Sequence, residues 1–143
     1  MADLLRELVT FVSEQTGLRI GGGSVFRDED RLYAGHIPPE KPDLGALVRE
    51  TGGPDQLLRA GEGRIGFPMV QVLVRGLTYF AARDLAWQIH DVLHGAGVNL
   101  GDHALHVAEA LAGPQSLGFD EKGRHLFSTN YRLAAHDQSL ATP

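Results

Sequence analysis

The clearest periodicity in the chain lies at Met69–Leu77, where Val70, Val72 and Val74 alternate with Gln71, Leu73 and Arg75. Strand side chains point to opposite faces with a period of two, so this spacing predicts a strand with one buried face. A second alternation, Phe127, Thr129, Tyr131 and Leu133, predicts a final strand. Two other stretches follow the helical period. Leu4, Leu5, Leu8, Val9, Phe11 and Val12 recur at three- and four-residue spacing and predict a helix over Ala2–Gln15, stopped at Thr16-Gly17. Ala82, Leu85, Ala86, Ile89 and Leu93 form the apolar stripe of a second helix. Thr78 suits its N-cap, and Gly95 and Gly97 follow its expected end near His94.

The remaining segments are shorter. Leu18–Ile20, Arg31–Ile37, Ala46–Thr51 and His103–Leu111 are strand candidates, with Gly21-Gly22-Gly23-Ser24 as a turn. Pro38-Pro39-Glu40-Lys41-Pro42 predicts an extended connector, because proline fixes φ and lacks a donor. Gly52 to Phe67 is Gly-rich without periodicity and reads as a long loop, a type often functional in compact domains. Pro114–Gly123 reads as a turn region, closed by turn chemistry at Asp120–Gly123. Residues 134–143 are polar and expected to fray as a flexible tail beyond a single domain over 1–133. Strands cluster instead of alternating with helices. This order predicts an α+β domain, a mostly antiparallel sheet with two helices packed on one face.

Composition narrows the function. A chain of 143 residues favours one domain. A net charge of −5 argues against a sequence-independent nucleic-acid binder, which needs a basic face, yet allows a channel through which DNA passes. There is no cysteine, hence no disulfide or thiolate chemistry. No targeting segment is visible, and no apolar run approaches the ~18 residues of a membrane span.

Several motifs carry potential chemistry. Gly61-Glu62-Gly63-Arg64-Ile65-Gly66 spells a dinucleotide fingerprint, but a valine strand follows where a helix N-terminus should receive the pyrophosphate. His90 and His94, four apart with Asp91 between, would share one helix face as metal ligands do, with His103 and His106 as further candidates. The glutamate of the H-E-x-x-H motif is missing, and histidine near a helix C-terminus also complements the dipole. Gly22-Gly23-Ser24-Val25-Phe26 has Phe26 where a nucleophile elbow needs glycine. Asp28, Glu29 and Asp30 form an acidic cluster between Arg27 and Arg31, read as a solvated turn. Trp87 is a candidate anchor for a subunit contact.

The order of several pieces resembles a known family. Val70-Gln71-Val72-Leu73-Val74-Arg75-Gly76, the helix start at Tyr79, the helix end Ile89-His90-Asp91-Val92-Leu93-His94-Gly95 and the stretch from Pro114 to Leu133 look like minor capsid or tail terminator proteins of tailed bacteriophages. Tyr33-Ala34-Gly35-His36-Ile37-Pro38 and Glu50-Thr51-Gly52-Gly53 resemble the N-terminal half of that family. The segment Pro54–Gly66 and the histidine-rich stretch around His103 depart from it. The resemblance implies a structural virion protein without catalytic residues, metal or cofactor. It implies a homo-oligomeric ring, typically a hexamer, at the head-proximal end of the tail. Its partners would be the tail tube protein and the head–tail connector, with DNA only passing through the lumen and no membrane involved. An acidic ring wall would let DNA slide. Arg64, Phe67, Arg75, Trp87, Glu109, Phe119, Arg124 and Arg132 are the candidate subunit or partner contacts, and the loops at 52–67 and 113–123 the candidate docking elements. Two other readings stay open: a head-completion stopper or adaptor, and a small metal-dependent enzyme using His90 and His94.

Overall fold

A computed structural model describes residues 4–22, 29–40, 42–52, 58–60 and 63–138, with the backbone alone at 58–60, 63 and 64. Helix α1 (Leu4–Thr16) leads into strands β1 (Arg19–Ile20), β2 (Asp30–Ala34), β3 (Gly45–Gly52), β4 (Leu58–Ala60), β5 (Gly63–Gly66) and β6 (Met69–Gly76). Helix α2 (Tyr79–Leu93) follows, then β7 (Val98–Asn99), β8 (His103–Ala110), β9 (Gln115–Phe119) and β10 (His125–Asp137). This is the expected α+β architecture. The stretches of residues 23–28 and 139–143, which include most of the elbow look-alike and the end of the expected tail, lie outside the described residues.

The sheet is organised around β10. Along one edge β10 pairs antiparallel with β6 and, beyond a break at Phe67-Pro68, with β5. Along the other edge it pairs antiparallel with β9 and then β8. Outward from β6 the order continues through β3, β2 and β1. The β1–β2 and β2–β3 pairs are parallel, and the rest are antiparallel. Both helices lie on one face, α2 over β6 and β10 and α1 beside it over β1–β3.

Alternation decides what that face buries. Val70, Val72 and Val74 of β6 and Phe127, Tyr131, Leu133 and Ala135 of β10 point into the helix layer and are buried. The stripes of α1 (Leu4, Leu8, Val9, Val12) and α2 (Ala82, Leu85, Ala86, Ile89, Leu93) close over them. Thr78 adopts the extended conformation and its side chain accepts the N–H of Ala81, the N-cap expected from its position. The corner between β6 and α2 is tight. A Cβ on Gly76 would stand 2.9 Å from the backbone nitrogen of Ala82, so only glycine lets the first turn of α2 sit on the end of β6.

Three expectations are corrected. The segment Gly52–Phe67 holds β4 and β5, which pair with each other, and β5 also pairs with the end of β10. Short strands of three and four residues give too little periodicity to be read from sequence. The Pro114–Gly123 region likewise contains β9, hidden by a bulge beside Leu117 where Gly118 takes φ 92°. Residues 134–137, expected to fray, continue β10 to Asp137, with Ala135 and Asp137 buried because β5 and β8 flank them.

Candidate partner-binding surface

The parallel β2–β3 pair requires a crossover, and this places two predicted contact residues inside the fold. The crossover carries Pro38, Pro39 and Pro42 over the sheet face opposite the helices. Arg75, pointing to that face from β6, donates to the carbonyls of Pro42 (2.9 Å) and Pro38. Arg124, just before β10, donates to the carbonyls of Pro39 (2.6 Å) and Glu40 (3.2 Å) and to the Asp120 carboxylate (2.7 Å). Asp43 lies 3.6 Å from the same guanidinium. The Arg124 side chain is only 4% exposed. Burial and the neighbouring Arg124 hold the Arg75 pKa below its ordinary value. Burial would raise the Asp120 carboxyl, but hydrogen bonds from Arg124 and Lys122 outweigh it and bring it below the usual range. Arg75 and Arg124 are therefore an internal clamp on the crossover. Both are buried in the subunit, so neither stands on the partner surface expected from the sequence. Nearby, Lys122 pairs with Glu40 and holds that carboxyl low.

The other predicted contacts are scattered. Arg64 occupies a register position in β5 opposite Asp137. Phe67 is half-buried at the break between β5 and β6. Glu109 of β8 and Arg132 of β10 face each other across the ladder, 3.4 Å apart and exposed. Trp87 is partly exposed on α2, edge-on to His90 (centroids 5.1 Å) and beneath Gly113. Phe119 is 65% exposed on β9, with its ring 4.4 Å from that of His125.

Around Phe119 the structure assembles an apolar corner that the sequence reading did not single out. Leu77, Tyr79 and Phe80 at the β6–α2 junction are exposed, Phe80 by 67%. Tyr79 packs edge-on against Phe80 (5.4 Å), the buried Phe127 (5.2 Å) and His125 (6.0 Å), and His125 bridges to Phe119. Leu117 is exposed on the same strand as Phe119. A signal existed in the sequence. Phe80 falls outside the stripe of Ala82, Leu85, Ala86, Ile89 and Leu93, so an aromatic ring sits on the polar side of an amphipathic helix. Contiguous exposed apolar side chains of this kind mark contact sites.

The histidines serve the fold. His90 and His94 stack with centroids 5.0 Å apart. His90 Nδ1 lies 3.0 Å from the Tyr131 hydroxyl, and His94 Nδ1 accepts the N–H of Ala110 at 3.1 Å. Burial, then His94, lowers the His90 pKa, against an opposing effect of Asp91. Burial pushes the Tyr131 phenol well above its ordinary value. His103 is buried, bonded to Glu7 of α1 through Nδ1, with Asp137 3.9 Å from Nε2. Glu7 also accepts the N–H of Asp102 at 2.6 Å, tying α1 to the start of β8. Among the described residues no group of three or more His, Cys, Asp or Glu is placed to hold a metal. In the fingerprint look-alike, Gly63–Gly66 is a strand of the sheet and the next element is β6. Residues 61 and 62 lie outside the described set. Arg19 lies 3.1 Å from both Glu29 and Asp30 and offsets that acidic pair, and residue 28 is outside the described set. Among the described residues no helix is long and apolar enough to cross a membrane.

The model of the family described as bacteriophage tail terminator protein matches residues 21–137, which span β2 to the end of β10. Among solved structures, a chain of the virion of a native gene transfer agent particle is similar in fold, with a TM-score of 0.52 and 16% identity. The similarity covers 92% of this chain and 91% of that one. No curated protein matches. The family match covers most of the chain, and the chain belongs to the bacteriophage tail terminator family.

Proposed function

We propose that this structural phage tail protein closes the head-proximal end of the tail tube as a homo-oligomeric ring, a hexamer, and presents the surface on which the head connector docks. The family match over residues 21–137 carries this reading. DNA passes through the lumen, and no catalytic group or cofactor takes part. A ring of identical subunits needs two different surfaces that meet head to tail. Two candidates lie on opposite flanks of the sheet. One is the apolar corner of Tyr79, Phe80, Leu117 and Phe119 beside β9. The other is a groove between α1 and the β1–β2 edge, lined by Leu5, Val9, Ile20 and Ala34 together with Arg6 and Glu50. Exposed Trp87, Glu109 and Arg132 lie on other surfaces and are proposed as contacts to the tube or connector.

The test is electron microscopy of particles assembled without this gene. Overlong tails beside filled heads are the expected result. Tails of normal length with heads that have leaked DNA would make the protein a head stopper, and intact infectious particles would overturn both. Within the ring reading, Phe119→Asp should leave the melting temperature of the subunit nearly unchanged, because the ring is exposed. It should nevertheless abolish capping in complementation.

A further inference from the structure

We propose that the His90–His94 pair is an acid-sensitive joint: it fastens the C-terminal turn of α2 to β8 while both imidazoles are neutral and releases it when the pair takes up a proton. The geometry is specific about protons. His94 Nδ1 accepts the backbone N–H of Ala110 at 3.1 Å. A ring nitrogen accepts an N–H only when it carries no proton itself, so this bond belongs to the neutral ring alone. Protonation there would set two donors against each other. The second ring cannot relieve the first. His90 is stacked on His94 with planes 11° apart, is nine-tenths buried, and meets the Tyr131 hydroxyl at 3.0 Å.

The surroundings offer little compensation for a cation. From α2 the acting groups are His94 and Asp91, and from β10 the Tyr131 phenol. From β8 the bonded group is a backbone N–H, while Glu109 next to it turns to Arg132 on the opposite face. His106 of β8 stacks with His136. From α1, Glu7 is engaged by His103 and Glu14 is exposed. His90 is held below its ordinary 6.5, mainly by burial, so the unfolded chain takes the proton first as pH falls. The stability that the buried, neutral His90 ring contributes is therefore complete above about pH 6.5 and lost progressively below it. Release would act where Gly95 and Ala96 bond to Ala108, next to the partly exposed Trp87 and the exposed Leu111.

Amide exchange of the full chain tests this, with the Ala110 N–H as reporter and the buried-strand amides of Val48 and Val72 as reference. After correction for intrinsic exchange, protection at Ala110 should be lost progressively between about pH 7.5 and pH 5, while the references hold. His94→Asn supplies an acceptor that does not titrate and should remove the drop. Protection at Ala110 that is flat with pH in the wild type, or a drop that persists in His94→Asn, would overturn the proposal. Should that variant not fold, the ring nitrogens of the wild type decide by NMR. A His94 Nδ1 that gains a proton in step with the loss of protection supports the joint, and one still unprotonated at about pH 5 overturns it.

Discussion

Replacing Arg124 by alanine separates a clamp from a contact. The guanidinium is almost wholly enclosed and donates to the Asp120 carboxylate and to the carbonyls of Pro39 and Glu40. Truncation leaves a partly buried carboxylate and two carbonyls without these donors, and the prolines of the crossover have no N–H with which to rearrange. Removing one partner of a buried charged network costs about 3–5 kcal/mol. Spread over a domain of this size, where 1 kcal/mol moves the midpoint by roughly 3 °C, the melting temperature should fall by roughly 9–15 °C. Arg124→Lys keeps the charge but not the fork that reaches two carbonyls and a carboxylate at once, so it should recover only part of the loss. Thermal and urea unfolding of the isolated protein measure this directly. A melting temperature unchanged in Arg124→Ala, together with loss of ring or tail assembly, would refute the clamp and return Arg124 to the partner surface.

Gly76→Ala should destabilise by roughly 1–3 kcal/mol through overpacking of the β6–α2 corner, read as a shifted urea midpoint with unchanged slope. The Asp120 carboxyl, held below its ordinary 3.8, contributes stability that is complete above about pH 3.8 and is lost progressively as pH falls from there through the lower folded value. Asp120→Asn should flatten the acid limb of the stability curve in that range, and an acid limb identical to wild type would count against the Asp120–Arg124 linkage. Phe80→Asp, like Phe119→Asp, should fold with near-native stability and fail to assemble; normal assembly would remove the apolar corner from the proposed ring interface.

The elements with sustained periodicity were legible in the sequence. Both helices, β6 and the first part of β10 carry enough repeats for the period to decide the element. The N-cap at Thr78 was legible because its chemistry is local. What escaped were features fixed by distant partners. β4, β5 and β9 are too short to show a period, and they exist because β10 and neighbouring strands supply their ladders. The end of β10 looked polar because it contains His136 and Asp137, yet β5 and β8 enclose it. Arg75 and Arg124 looked like free strand charges. Only the parallel pairing of β2 with β3, invisible in a single sequence, brings the proline crossover onto them. Tyr79 carries only the local signal of a helix start, because its contacts with Phe127 and His125 depend on where β10 runs.

The central position of β10 has a consequence for biogenesis. Its four ladder partners, β5, β6, β8 and β9, all precede it in the chain. On the ribosome they emerge before the strand that joins them, with the inner edges of β6 and β8 open. Valine-rich β6 is then an exposed edge of the kind that pairs with other chains. Nascent subunits concentrated on one message would face that hazard until residues 125–137 arrive. Closure of the sheet is then a single late event that depends on long-range pairing, the slow step in such topologies. Productive yield is thus a race between arrival of one strand and aggregation of the strands awaiting it.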